Sequence, residues 1–501
     1  LLGVALEQEF FTPLFSSYML NVEGVRVAPT LNGRSVIRVE PALTISRQQC
    51  ERLLAALERT LAMFATGDTG RIMASIIAGR AEPMPQIILP EKPWVRVKQR
   101  KAERRFAFLM HPLSHSSAVE LDRSLTYLDD ASLETVVRNV SGLVGPFVVN
   151  HGRVVSATGE TIYGEFITLP RTAEVLSQMR RKEAAEYVRG ALHLARDRGA
   201  MMVGLGAYTS IVTCAGRAVA EEGVPITTGN SYTAVASAEA TRNVIALFGK
   251  RNSPPPTTAI VGATGTIGRA MALLLAEDVG RMILVGNPDS PSEDVRERLL
   301  VRAGDVVRFA AARHAEGVIF KPGSFAAEVF SDHPLHFADS LGSVDEVLAR
   351  LERTGWLVLT QDTAAAVRAS GVVVTATSAT GTVIGPADFR PHAVVCDVSR
   401  PANVSRDVAA ARPDVMVIDG GVIAVPAGST LGTFGLGDGL IYACMAETMM
   451  LTFDGHLQNT SLGVGLSPET LQKIRSLADL HGFHVAKLRS FGQPIEYRSV
   501  A

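Results

Sequence analysis

Short β-branched runs alternate with helix-period segments through the second half of the chain. TAIV (258–261), RMILVG (281–286), VVVTATS (372–378), AVVCDVS (393–399) and VMVIDGG (415–421) are each strand-length, with helical stretches between them. That alternation predicts an α/β fold, a doubly wound parallel sheet with helices on both faces. Upstream, RFAFLMHPLS (105–114) reads as an apolar strand entering a loop, residues 172–199 as one long amphipathic helix, and MMVGLGAYTSIV (201–212) as a strand with a glycine-rich end. Residues 437–488 read as helical throughout. Near the start, GVRVAPTLNGRSVIRVEPALTI (24–45) predicts two strands about an Asn32-Gly33 turn, and Ser46 caps an amphipathic helix over 47–65.

Length adds a domain count: 501 residues exceed one hydrophobic core, so two or three domains are expected. A net charge of −1 gives no basic excess for general nucleic-acid binding. Four cysteines without paired short spacing fit neither a disulfide framework nor a zinc site, and a reducing, cytoplasmic setting is expected. Every apolar run is broken before the length of a membrane span. The chain opens mid-pattern, on LLGVALEQEF without an initiator Met, and a fragment of a longer polypeptide is expected. Residues 80–105 turn Pro-rich and then basic, which reads as a linker, and the run at 96–105 as its solvated end.

The strongest chemical signal is Gly262-Ala263-Thr264-Gly265-Thr266-Ile267-Gly268. It follows a strand and opens a helix, the context in which such glycines let backbone amides approach a dinucleotide pyrophosphate. The second strand ends in Gly286-Asn287, with neither the carboxylate that holds an NAD ribose nor an Arg for a 2′-phosphate, a weak tilt to NADP. Two small-residue loops, Gly204-Leu205-Gly206-Ala207-Tyr208-Thr209-Ser210 and Thr227-Thr228-Gly229-Asn230-Ser231, offer amide and hydroxyl donors for a substrate carbonyl. By composition Cys444, in LIYACMAETMML (440–451), is a small core residue or a nucleophile, and periodicity does not decide between them. Cys214, Cys396 and Cys50 read as core or incidental positions, as do His392, His456, His481 and His484 as structural histidines. No metal site is expected: HPLSH (111–115) spaces two histidines at i and i+4, but Pro112 argues against a helix there.

Taken in order, RFAFLMHPLS, GETIYGEFITLP, GLGAYTSIV, TTGNSYTA, AIVGATGTIG, VIDGGV and YACMAETMMLTFDG make the chain from about 106 onward resemble the long-chain acyl-[acyl-carrier-protein] reductases of cyanobacteria, which form fatty aldehydes. The resemblance implies a substrate domain (106–250), a Rossmann domain (251–428) and a C-terminal helical segment (429–501) packing back on the substrate domain. It implies that Cys444 attacks an acyl thioester and that a nicotinamide cofactor, NADPH with NADH as the alternative, reduces the acyl-enzyme. Gly204, Gly206, Thr228, Gly229 and Asn230 would then face substrate. Tyr208, Thr209, Ser210 and His111 are candidate proton donors by position. The GLGDG approach (435–439) predicts a Cys444 thiol exposed near a helix start, its pKa lowered. The family's Arg after the second Rossmann strand is Asn287 here, so its NADPH preference carries over only weakly.

Residues 1–80 have no counterpart in that family and resemble the C-terminal small domain of class III pyridoxal-phosphate aminotransferases, with Arg38 in place of an Arg that often meets a substrate carboxylate. The pyridoxal phosphate and its lysine would belong to a part that is absent from this chain, so Arg38 is expected to serve the hairpin. Together the two resemblances imply a fusion in which a reductase hands an aldehyde to a transaminase. Acyl carrier protein or a coenzyme A thioester is the expected partner, and a homodimer the expected assembly. Two other classes stay open. One is a dehydrogenase of shikimate-dehydrogenase or glutamyl-tRNA-reductase type, against which stand the positions of Lys182 and Lys250 on helical or linker segments. The other is a non-catalytic nucleotide-binding or docking module.

Overall fold

A computed structural model of the chain describes residues 2–6, 11–30, 35–66, 68–79, 97–100, 103–121, 123–140, 145–248, 254–331 and 341–495. The Asn32-Gly33 turn, Lys250 and most of the 81–105 linker lie outside them. The chain divides into two compact units, residues 1–93 with 112–145 and 170–175, and residues 94–111 with 146–169 and 176–501.

In the first unit, strands β1 (Leu2–Ala5), β2 (Ala28–Pro29) and β3 (Val36–Val39) form an antiparallel sheet in the order β1-β3-β2. Helices α1 (Phe11–Asn21), α2 (Arg47–Ala65), α3 (Thr69–Ala78) and α4 (Asp130–Val140) belong to the same unit. Phe15, Met19, Ile37, Val39 and Ala56 make the core between the sheet and α1 and α2. Ser46 starts α2 with a capping box: its hydroxyl accepts the Gln49 N–H at 3.2 Å, and Gln49 Oε1 accepts the Ser46 N–H at 2.8 Å. Arg38, on β3, pairs with Glu40 at 3.5 Å on the surface.

The second unit holds two parallel-rich sheets. β4 (Arg104–Met110), β5 (Phe147–Val155), β6 (Thr161–Thr168), β7 (Met202–Leu205) and β8 (Ile226–Thr227) are ordered β5-β6-β4-β7-β8, with only β5 antiparallel. The 172–199 segment is not one helix. A short helix, Ala173–Gln178, ends before Arg180, whose backbone is extended at ψ 136°, and α5 (Arg181–Asp197) starts afresh. Beyond β7, the glycine-rich stretch leaves the strand at Leu205 and forms the short helix α6 (Tyr208–Val212). Helix α7 (Asn230–Phe248) follows β8.

The second sheet contains β9 (Thr258–Val261), β10 (Met282–Val285), β11 (Leu357–Thr360), β12 (Val372–Thr375), β13 (Val394–Asp397) and β14 (Met416–Asp419). All are parallel, in the order β11-β10-β9-β12-β13-β14. Numbered within the sheet, that is 3-2-1-4-5-6, the doubly wound Rossmann arrangement. Helices α8 (Thr266–Leu275), α9 (Ser292–Ala315), α10 (Leu341–Arg353) and α11 (Thr363–Ala369) connect its strands. Strand β11, in WLVLT, is an element that the apolar pattern did not single out. The chain then departs from the helical expectation for 437–488. β15 (Val422–Ala424), β16 (Leu440–Tyr442) and β17 (His484–Val485) make a small antiparallel sheet in the order β16-β15-β17. Between β16 and β17 lie helices α12 (Ala443–Phe453) and α13 (Pro468–His481). α12 is apolar around most of its circumference because it is enclosed: Met445, Met449 and Met450 share one core with Phe106, Phe108 and Phe166 of the five-stranded sheet and with Ala234 and Val235 of α7.

Candidate functional site

The glycine motif spans the turn from β9 to α8, and the space around it fits a phosphate-binding loop. A Cβ on Gly262, at φ +86°, would overlap the Ala376 carbonyl oxygen, and one on Gly268 would overlap that of Gly262. At Gly265, the N-cap of α8, such a Cβ would stand 3.3 Å from the Gly262 carbonyl oxygen, a tight but less severe approach. The Gly262 and Ala263 N–H groups both donate to Val285 at 3.0 Å, which ties the loop to the end of β10. Ile267 packs into the sheet's core, and Thr264 is half-buried. The loop lies at the carboxyl end of β9 beside β12, where the strand order of the sheet reverses, the position at which open α/β sheets take dinucleotides. Asn287 is exposed after β10; its Oδ1 accepts the Asp289 N–H at 3.0 Å and its carbonyl accepts Gln361 Nε2 at 2.6 Å.

Cys444 is the second residue of α12. The extended residue before the helix, Tyr442, belongs to β16, and the Ala443 N–H donates to Gly421 at 2.8 Å, so two strands fix where α12 begins. One flank of Cys444 is covered by Gly229, at φ +70°, where a Cβ would overlap Cys444 Cα and Cβ. The thiol is near a positive helix end, and the N–H groups of Met445 and Cys444 itself pull its pKa down. Burial outweighs them, and with the nearby Glu447 charge pushes the thiol up to about 12; Arg400, after β13, opposes this. The expectation of an exposed, acidified thiol is therefore corrected: the residue is half-buried, and desolvation exceeds the helix-end effect. The expectation for Cys214 changes as well, since it is exposed on a left-handed turn at φ +55° rather than packed in a core. Cys396 is buried in β13, and Cys50 is half-buried on α2.

The loop Thr227–Tyr232 turns its polar groups inward. Gly229 N–H donates to Thr227 Oγ1 at 3.1 Å, and Asn230 N–H to Thr228 Oγ1 at 3.4 Å. Tyr232 N–H donates to Glu447 Oε2 at 2.7 Å, while the Thr227 hydroxyl donates to Glu447 Oε1 at 2.5 Å. These amides, expected to face a substrate, are occupied within the protein. Gly204 lies inside β7, where a Cβ would overlap Thr448 Oγ1, and a Cβ on Gly206 would stand 2.5 Å from the Leu109 carbonyl. Both let α12 and β4 approach closely. His111 Nε2 accepts the Tyr208 N–H at 3.0 Å, so its ring orients the start of α6. Ala207, just before, holds the strained pair φ 45°, ψ −118°. The Tyr208 hydroxyl donates to the Ser378 carbonyl at the end of β12, across the dinucleotide crevice, and burial raises its pKa to about 12. The Thr209 hydroxyl donates to Gly206 at 2.8 Å; Ser210 is buried beside it.

Two features escaped the sequence reading. Glu447 is fully buried on α12, one turn beyond Cys444. The segment Asn459–Leu466 joins the glycine loop, the Thr227–Tyr232 loop and Glu447. Thr266 of the glycine loop donates to the Gly463 carbonyl at 3.1 Å, Thr228 to the Ser461 carbonyl at 2.6 Å, and the Ser461 hydroxyl to Glu447 Oε1 at 2.5 Å. A lone carboxylate in the apolar run YACMAETMML was the signal for the first, and the glycines of SLGVGL for the second. Among the described residues no group of His, Cys, Asp or Glu is arranged to hold a metal ion, and no helix is long and apolar enough to cross a membrane.

No family model matches the chain. It is 30% identical over 408 residues to Aminotransferase PigE of Serratia sp., an alignment covering 79% of this chain and 41% of that protein. The chain thus spans about two fifths of PigE. It is 26% identical over 357 residues to the long-chain acyl-[acyl-carrier-protein] reductase of Synechococcus elongatus, covering 68% of this chain and 87% of that one. The crystal structure of Rhodotorula graminis D-mandelate dehydrogenase covers 75% of this chain and 92% of that one at 10% identity, with a TM-score of 0.23, too low to bear on function. The chain therefore has distant relatives of two kinds, one named as an aminotransferase and one as a reductase.

Proposed function

We propose that this chain is an oxidoreductase that reduces a fatty acyl thioester, carried by acyl carrier protein or coenzyme A, to the aldehyde through an acyl-enzyme on Cys444. The observation that carries the reading is Cys444 on the first turn of a helix whose buried Glu447 is joined, through Ser461 and Gly463, to the dinucleotide loop at Thr266. The similarity to the cyanobacterial reductase supports it.

In the first step the Cys444 sulfur bonds to the acyl carbon and the carrier's C–S bond breaks. The proton leaving the Cys444 thiol ends on the carrier sulfur, so the exchange needs no net base. Because burial holds the resting thiol protonated, sulfur attack and proton loss are coupled. Gly262–Gly268 would hold a reduced nicotinamide dinucleotide, NADPH by the resemblance, which would supply the hydride that the acyl carbon needs. The oxygen of the resulting thiohemiacetal takes a proton from a donor in the site. Scission of its C–S bond frees the aldehyde and restores the thiol. Tyr208, with its hydroxyl at the end of β12 and its buried, protonated phenol, is the proton donor we assign.

The similarity to PigE supports a second element of the proposal, that the aldehyde passes to a transaminase of the same polypeptide and leaves as an amine. The test is to incubate the chain with long-chain acyl thioester and NADPH or NADH and to follow cofactor oxidation and aldehyde. Aldehyde formation that is lost in Cys444→Ser is expected. Undiminished turnover in that variant, or no binding of either cofactor, would sink the proposal.

A further inference from the structure

Glu447 is a carboxylate in the wrong company for an inert core. It is fully buried on an otherwise apolar helix, and it lies three residues, nearly one turn, beyond Cys444 on the same face. Its partners come from two separate segments. Oε1 accepts the hydroxyls of Thr227 and Ser461, each at 2.5 Å, and Oε2 accepts the Tyr232 N–H at 2.7 Å. Thr227 Oγ1 in turn accepts the Gly229 N–H at 3.1 Å, and Ser461 Oγ lies 2.7 Å from Ser231 Oγ. Ser461 holds this place at φ +59°, a left-handed backbone that a serine adopts only under constraint. An apolar residue at 447 would fill the volume at lower desolvation cost, so packing alone does not account for a carboxylate here.

We propose that Glu447 is a positioning residue for Cys444. Its carboxylate anchors the Thr227–Tyr232 loop to the nucleophile's own helix, and this seats Gly229 against Cys444. The groups around the thiol are few. Glu447 faces it from α12 and Arg400 from the loop after β13, while the 227–232 loop and Ser461 present uncharged hydroxyls and amides. Arg217 lies farther along, against Gly463. Arg400 is itself engaged, lying 3.6 Å from Asp419 and with its guanidinium 5.5 Å from the centre of the Tyr442 ring.

This inference rests on Cys444 being the acyl acceptor, but half of its test needs no thioester. The rate of iodoacetamide alkylation at Cys444 would be read by peptide mass spectrometry on the full chain between pH 7 and 10. Replacing one carboxylate oxygen in Glu447→Gln is expected to loosen the loop that covers Cys444 and to raise the rate at pH 9 about tenfold. Ser461→Ala, which removes one hydrogen bond and leaves the Thr227 and Tyr232 anchors, is expected to change it less than about threefold. Equal acceleration in both variants, or none in either, would overturn the anchoring role. Glu447→Asp is the second arm, and it serves where the Gln variant does not fold. It keeps both carboxylate oxygens and shortens the tether, so acyl-adduct formation should fall about tenfold. Unchanged adduct formation in the Asp variant would overturn the positioning role. A wild-type chain that forms no adduct but shows the expected alkylation profiles would count against the thioester reading alone.

Discussion

Glu165 and Glu447 are two buried carboxylates in the same unit, and they are satisfied in opposite ways. Glu165, on β6, faces Arg198, whose Nε and Nη2 donate at 2.6 and 2.7 Å, with Arg105 and His151 also within 4.0 Å. Burial works against its charge, yet Arg198 outweighs it and holds the carboxyl below the usual range. Glu447 has two hydroxyls and backbone N–H groups as its partners, and there burial wins, raising the carboxyl. The first arrangement is an ion pair that locks a sheet to a helix end. The second holds a buried carboxyl on hydroxyl and N–H donors close to a cysteine, a costly arrangement of the kind that concentrates at functional sites.

The largest effect that sharpens this contrast concerns two glycines. Gly229→Ala would drive a methyl into Cys444 at a positive φ, and about 3 kcal/mol of stability and nearly all acylation should be lost. Gly199→Ala, beside Arg198, has φ +83° but open space around it, and about 1 kcal/mol is expected; thermal melts of both variants decide. A similar cost for the two would mean that the Gly229–Cys444 contact is not tight. Next, at pH 8, exposed Cys214 should be alkylated about a hundredfold faster than Cys444, whose rate should still be climbing at pH 10. Peptide-resolved labelling that found Cys444 first would break the account of its burial.

The two carboxylates should also respond oppositely to pH. Glu165 is more acidic when folded than when unfolded, so its contribution is complete above the unfolded pKa and is lost as pH falls through the folded one. Glu165→Gln should cost about 2 kcal/mol near pH 7, since Arg198 is part-exposed, and should flatten the acid limb of stability against pH. Glu447 has the reverse sign: its raised folded pKa makes stability decline as pH rises from the unfolded value towards the folded one. Denaturant melts of Glu447→Gln should lack that decline. The smallest difference is between single hydroxyls. Thr227→Val should cost about 2 kcal/mol because it strips a donor from a buried carboxylate, and Tyr163→Phe about 0.5 kcal/mol because its bond to Glu165 is long, at 3.4 Å.

Five of the six Rossmann strands were legible because they are short, near-continuously apolar parallel runs, and the glycine motif sits where only glycines fit; β11, half-buried over most of its length, was not. β15, β16 and β17 were not, being two or three residues long and held by partners tens of residues away. Cys444 was legible as a candidate through its motif, whereas its environment was not. The Glu447 network joins Thr227, 220 residues upstream, to Ser461, 14 residues downstream, and no local pattern records such a meeting. The helix-end argument for an acidic thiol failed for the same reason: it weighs the turn that holds the cysteine and omits what packs over it.

The central claim, a covalent acyl-enzyme on Cys444, is tested most directly by treating the full chain with a long-chain acyl thioester in the absence of reductant and mapping the adduct by peptide mass spectrometry. The account predicts one acyl group, on Cys444, that is discharged when reduced nicotinamide cofactor is added. An adduct on Cys214, or cofactor-dependent aldehyde formation with Cys444 never acylated, would contradict it.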